Sequence, residues 1–207
     1  MEIPMIENYQ PSKIVLGKVD EKYVKFYMSG DGDDYKQIRF QIPKMRIAFD
    51  IDNRKSSTGK VFVKNITLST NDIGSENNVK RIDILRTKLL KTEKYIKRLL
   101  PPHLENMTFS HSLWQGKNLD FKPTFKVSIH YDRDDKTKTN VFDSNNNQIS
   151  DSTLTKGQIV SMAIRLDKLW IYGGKIGINW DVEQIKVYDS QTKDTEKIKG
   201  LMIRSDD

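Results

Sequence analysis

A mainly β domain, built as a small closed or half-closed barrel carrying one helix, is what this amino-acid sequence predicts. Three observations carry the prediction. Apolar and polar residues alternate with period two in several separate segments, the mark of strands with one buried face. One stretch, Val79 to Leu99, instead repeats its apolar residues at steps of three and four. The connections are short runs rich in Gly, Asp, Asn and Ser, and none is long enough to divide the chain. With 207 residues there is material for one substantial core. Residues 1–190 are therefore expected to form a single domain with a helical insertion at 75–102, followed by a mixed-charge tail at 191–207.

In chain order, KIVLGKVDEKYVKFYM (13–28) reads as one or two strands and DYKQIRFQIPKMRIAFDI (34–51) as the next, the turn SGDGDD between them making a β-hairpin by pattern. A polar connection, DNRKSSTGK, leads to a third alternating segment, Val61 to Thr70. The helix follows, with Ser75 as N-cap, Pro101-Pro102 as the stop, and Val79, Ile82, Leu85, Leu89, Ile96 and Leu99 as its apolar face. Its polar face sets Lys80, Arg81, Arg86, Lys88, Lys91, Lys94, Lys97 and Arg98 against Asp83 and Glu93, an excess close to the net +7 of the chain. These cations either extend an electrostatic track or solvate the outer face of a packed helix.

After an irregular connector, TFKVSIHYD (124–132), a short VFD strand, GQIVSMAIRLDKLWIY (157–172) and KIGINWDVEQIKVYD (175–189) complete the strands, with polar turns at 132–140 and 144–153. In the last strand Trp180 shares parity with Ile176, Ile178 and Val182 and belongs to the core. In the strand before it, Met162, Ile164, Leu166, Lys168 and Trp170 share one parity, and the register leaves Trp170 open between core and surface. Strands, one helix, then more strands suggest an OB-fold-like barrel with one inserted helix at about 76–100.

Composition narrows the chemistry. There is no cysteine, so no disulfide, thiol nucleophile or Cys-ligated zinc. The three histidines lie in no nucleophile context. SSTGK (56–60) lacks the first glycine of a phosphate loop, and DGDD (31–34) lacks the glutamate of a calcium loop. No apolar run reaches membrane-spanning length and the N-terminus does not read as a signal peptide, so a non-secreted, intracellular protein without cofactor, metal or membrane contact is expected. A non-enzymatic binding role fits best.

Lys and Arg number 35 against 28 Asp and Glu, which favours a polyanionic partner. Sequence-tolerant binding of a single strand needs cations for phosphates and flat rings for bases. Both recur together. Trp114, Lys117, Phe121, Lys122, Phe125, Lys126 and Tyr131, with Lys136 and Lys138 in the following turn, form one group. Arg165, Lys168, Trp170, Tyr172 and Lys175, around the Gly173-Gly174 turn, form the other.

The order of these elements, above all FKVSIHYDRDDKTKT, VFDSNNNQISDS, GQIVSMAIRLDKLWIY and KIGINWDVEQIKVYD, resembles the OB-fold single-stranded DNA-binding proteins of large DNA viruses and short-tailed phages. The resemblance covers 124–189 by residue type and the N-terminal half by element order only. It implies coating of exposed strands in DNA replication, recombination or repair, with the two ring-and-cation groups facing DNA. It also implies replication proteins and further copies of the chain as partners, and a location at the host-cell site of viral DNA replication or in the virion. The chain departs from the phage pattern at its end, KGLMIRSDD, which is not the long acidic tail that recruits polymerase. RNA remains open as a ligand, because stacking and phosphate contacts do not read the 2′-hydroxyl. The alternative is a viral structural or replication-scaffold protein without catalytic activity, offering strand edges to a partner.

Overall fold

The structure, a computed structural model, describes residues 3–29, 35–132, 134 and 136–188, with residue 167 by its backbone alone. Its strands are β1 (Ile14–Val19), β2 (Tyr23–Ser29), β3 (Tyr35–Lys36), β4 (Arg39–Ile47), β5 (Asp52–Lys55) and β6 (Val61–Ser69) before the helix α1 (Glu76–Leu99). After it come β7 (Thr108–Ser110), β8 (Leu113–Trp114), β9 (Thr124–His130), β10 (Asn140–Phe142), β11 (Gln148–Ile149), β12 (Ile159–Tyr172) and β13 (Lys175–Tyr188).

Five of these close a ring, in which β4 pairs with β6, β6 with β9, β9 with β13, β13 with β12, and β12 with β4. Taken in chain order the ring runs first, second, third, fifth, fourth. That is the Greek-key connectivity of an OB-fold-like domain, and the predicted fold class stands. The ring is not a clean barrel. β12 and β13 pair along their whole lengths, whereas β9 meets β13 in parallel at one position, Ser128 opposite Asp181. Beyond it the two strands part, and the segment 108–114 fills the seam, β7 pairing with β13 and β8 with β9.

Alternation explains the core. Ile66 and Leu68 of β6 and Phe125, Val127 and Ile129 of β9 point inward, while Lys126, Ser128 and His130 point out. Inside, Trp180 meets Phe40 and Phe125 edge-on at centroid distances of 5.4 and 6.1 Å, and Tyr9 stacks on Phe40 at 4.6 Å. Trp180 is thus core, as its parity predicts. Leu85, Leu89 and Ile96 of α1 are fully buried, each worth roughly 1.5–3 kcal/mol of apolar transfer, so the helix is held by its packed face. Its N-terminus is capped at Ser75, whose Oγ accepts from the Asn78 amide at 3.3 Å.

Several expectations need correction. In place of the predicted hairpin with residues 34–51, β2 pairs only with the two-residue β3 of that segment, and β4 pairs with β6 and β12. Residues 52–55 form a strand on the surface, β5, folded back on β6, where a plain connection is expected. Arg81 and Glu93 do not lie on the solvated face of α1. Arg81 is buried against Glu7 at 2.7 Å, and Glu93 is 3% exposed. In β13 an extra residue, Glu183, shifts the pairing between Val182 and Gln184, so Ile185 and Val187 turn inward where uninterrupted parity puts them outside. The predicted tail 191–207 and the DGDD turn lie outside the described residues. Among the described residues no helix is long and apolar enough to cross a membrane.

Candidate nucleic-acid interface

An open groove of about 520 Å³ crosses the outer faces of β6 and β9. Its floor is Val63, Asn65, Ser128 and Asn179; one side is Phe62 with Arg54 of the β5 loop, the other the β12–β13 hairpin with Trp170 and Tyr172. The segment that fills the seam supplies Ser110, His111 and Ser112 to one wall.

Two local devices place the aromatic side. The pairing of β12 with β13 slips between Leu166 and Lys168, with residue 167 the extra one. Leu166 faces the core before the bulge and Leu169 after it, so Lys168, Trp170 and Tyr172 are thrown outward. Trp170 then lies over Gly177, its registered partner. A Cβ there would stand 2.5 Å from Trp170 Cζ2, so only glycine admits the indole. The hairpin closes at Gly173 and Gly174, with φ of +57° and +72°, the two left-handed positions of a tight type I′ turn. This lifts Tyr172, 82% exposed, to the tip.

The floor is polar and internally bonded. Asn65 and Ser128 are a registered pair; the Ser128 hydroxyl donates to Asn65 Oδ1 at 3.0 Å, and Asn65 Nδ2 donates to Asp52 Oδ2 at 2.9 Å. Asn179 Nδ2 donates to Asp181 Oδ1 at 2.9 Å, and His130 Nε2 lies 2.9 Å from the same oxygen. His111 Nδ1 lies 2.7 Å from Glu93 Oε2, while the Ser112 amide donates to Glu93 Oε1 at 2.6 Å. Trp180 Nε1 completes the wall by donating to Ser112 Oγ at 2.9 Å. Lys126 projects from β9 between floor and loop. Partial burial, then repulsion from Arg54, lowers its pKa below the usual lysine range, against a smaller opposing pull from Asp52.

Beyond His130 a second recess of about 240 Å³ gathers Tyr131, Lys136, Lys138 and Arg165. Arg165 is engaged there, 3.3 Å from Asp181 and 3.7 Å from Glu183, and Arg39 shares Glu183 at 3.1 Å. Tyr131 bonds Asp151 through its hydroxyl, with Lys64 5.3 Å above its ring. Asp132 caps the turn, accepting the amides of Lys136 and Asp134 at 2.9 Å each, and these bonds hold its carboxyl below the usual range.

Of the fourteen residues singled out from sequence, Lys126, Trp170 and Tyr172 line the groove, and Tyr131, Lys136, Lys138 and Arg165 line the recess that His130 joins to it. Trp114, Lys117, Phe121 and Lys122 sit on the connector before β9. Trp114 is paired at Thr124 with its ring over Gly116, and Lys122 is bonded to Asp72. Phe125 is fully buried and reaches neither cavity. Lys168 lies 5.8 Å over the Tyr23 ring, and Lys175 is exposed at the hairpin tip. The polar floor is absent from the sequence reading. Its signal was the parity of Asn65 opposite Ile66 and Leu68, and of Ser128 beside Lys126; Arg54, Glu93 and Asp52 gave none.

No protein-family model matches this sequence, and no curated protein does. Among solved structures, the C-terminally truncated single-stranded DNA-binding protein of bacteriophage Enc34 is similar over 87% of this chain and 97% of that one, at 12% identity and a TM-score of 0.52. The single-stranded DNA-binding protein gp2.5 of bacteriophage T7 matches over 79% and 98%, at 14% identity and a TM-score of 0.48. The Enc34 match shows a shared fold.

Proposed function

We propose that this chain binds single-stranded DNA in the groove over β6 and β9, tolerantly of sequence, and without catalysing a reaction. The observation that carries the reading is the site's position. On this fold, oligonucleotides are held on the face of the second and third ring strands, between the loop joining the first two and the loop joining the last two. Here that face is lined by a lysine and polar groups. The first of those loops carries Arg54 and the second carries Trp170 and Tyr172. Rings supply stacking, worth about 1–3 kcal/mol per base, and Arg54 and Lys126 supply phosphate contacts. That a solved structure with this fold is named as a single-stranded DNA-binding protein supports the same reading. The recess with Lys136 and Lys138 would carry the strand onward past His130. Support of DNA replication, recombination or repair at a site of viral DNA synthesis, together with self-association, is the biological role proposed with it.

The test is a titration with oligo-dT, single-stranded RNA and duplex at two salt concentrations, read by intrinsic tryptophan fluorescence. Quenching by the single strand at about 50 mM salt, weakening log-linearly as salt rises, is expected. No quenching and no gel shift would reject the proposal.

A further inference from the structure

Several of the groove's hydrogen bonds share a polarity that the phosphate and stacking contacts do not require, the exception being Ser112, whose Oγ accepts the Trp180 N–H and keeps its own proton to give. Three carboxylates stand behind its polar lining, and each draws a donor away from the ligand side. Asp52 takes an Asn65 N–H, whose carbonyl in turn takes the Ser128 hydroxyl proton, so Ser128 Oγ presents lone pairs. Asp181 takes an Asn179 N–H, leaving Asn179 Oδ1 as an acceptor, while His130 Nε2 is held between Asp181 Oδ1 at 2.9 Å and Asn179 Nδ2 at 3.1 Å. Glu93, 3% exposed, faces His111 Nδ1 at 2.7 Å, leaving His111 Nε2 as a third such site. A carboxylate accepts only, so a neutral His111 facing Glu93 carries its proton on Nδ1. The strongest donors lining the groove, Arg54 and Lys126, are cations suited to phosphates.

We infer that the groove floor is an acceptor array that selects nucleobases carrying an exocyclic amino group. Adenine and cytosine present that amino donor on their pairing edges. Thymine and uracil present one N–H between two carbonyls, which would stand against the lone pairs of Ser128, Asn179 and His111. The inference rests on the binding mode proposed above and names its base preference. Because stacking and phosphates contribute for every base, the preference is a few-fold bias on tolerant binding.

The test compares oligomers of equal length at pH 8, above the ordinary imidazole range: dA, dC, dT, and the deoxynucleoside of unsubstituted purine, which lacks only the amino group of dA. Binding about three- to tenfold tighter for dA than for the purine oligomer, and for dC than for dT, is expected. The Ser128→Ala and Asn179→Ala variants, with melting curves to show folding, should narrow both ratios towards one. Equal affinity of the wild-type protein for dA and purine overturns the inference while leaving the proposed function standing, as does an unchanged ratio in both folded variants. Failure of all four oligomers to bind rejects the proposed function itself.

Discussion

Gly177 and Trp170 show how one missing side chain positions another. A methyl at Gly177 would overlap the indole, so Gly177→Ala must push Trp170 off the hairpin. Since φ at Gly177 is not left-handed, the substitution carries no backbone strain of its own. If Trp170 stacks on a base, single-strand affinity should fall by about one stacking contribution, roughly 1–3 kcal/mol or five- to 150-fold, with loss of part of the fluorescence quench and little change in Tm. Lys126 adds a prediction in pH. Burial and Arg54 lower its pKa, so as pH rises it loses its charge before a lysine of ordinary pKa, and with that charge a phosphate contact. Affinity should therefore start to fall at a pH below the ordinary lysine range, and Lys126→Arg should remove that early limb from a binding-versus-pH profile.

Elements in this molecule are registered by a few irregular residues, and that decides what the sequence could reveal. Strand existence was legible from alternation, and the core of β6 and β9, with Phe125, Val127 and Ile129 inward, follows the period-two rule. Trp170 was not legible, because the extra residue at 167 reverses the parity on which its placement depends. Ile185 escaped for the same reason at Glu183. Removing residue 167 would make Leu166 and Lys168 neighbours, so β12 would pair with β13 without interruption at this point while Leu169 stays inward and Trp170 outward. The expected outcome is a folded protein whose tryptophan emission still responds to oligo-dT, and loss of that response would show that the bulge itself shapes the site. The helix depends on a similar latch. Asn78 Oδ1 accepts the Lys44 amide at 3.1 Å, and its Nδ2 donates to the carbonyls of Lys44 and Ile73 at 3.0 and 2.9 Å, tying α1 to β4. Leaving those backbone groups without partners costs about 1–3 kcal/mol each, so Asn78→Leu should lower stability in chemical denaturation far more than Ser75→Ala, whose cap is worth about 1 kcal/mol.

Over the whole molecule, charge and shape divide the work. The chain carries +7, yet the cations that line the groove and recess are a minority of its 35 lysines and arginines, and many of the rest sit on α1. Replacing Lys136 and Lys138 with Gln should shallow the salt dependence of binding by about one to two phosphate contacts, as read from the slope of log affinity against log salt. Unchanged slope would place the strand's path elsewhere. The overall class of the site was legible as cations mixed with rings; its floor was not, since Asn65, Ser128 and Asn179 acquire meaning only when β6, β9 and β13 are brought side by side. That same ring sets the order of folding. β4 must wait for β12, more than a hundred residues later in the chain, and β9 for β13. Contacts so distant in sequence form slowly, since loop closure precedes any gain from pairing. On the ribosome the edges of β4 and β9 therefore stay open until the last hairpin emerges, and a transcript cut short before residue 159 yields strands with no ring to join.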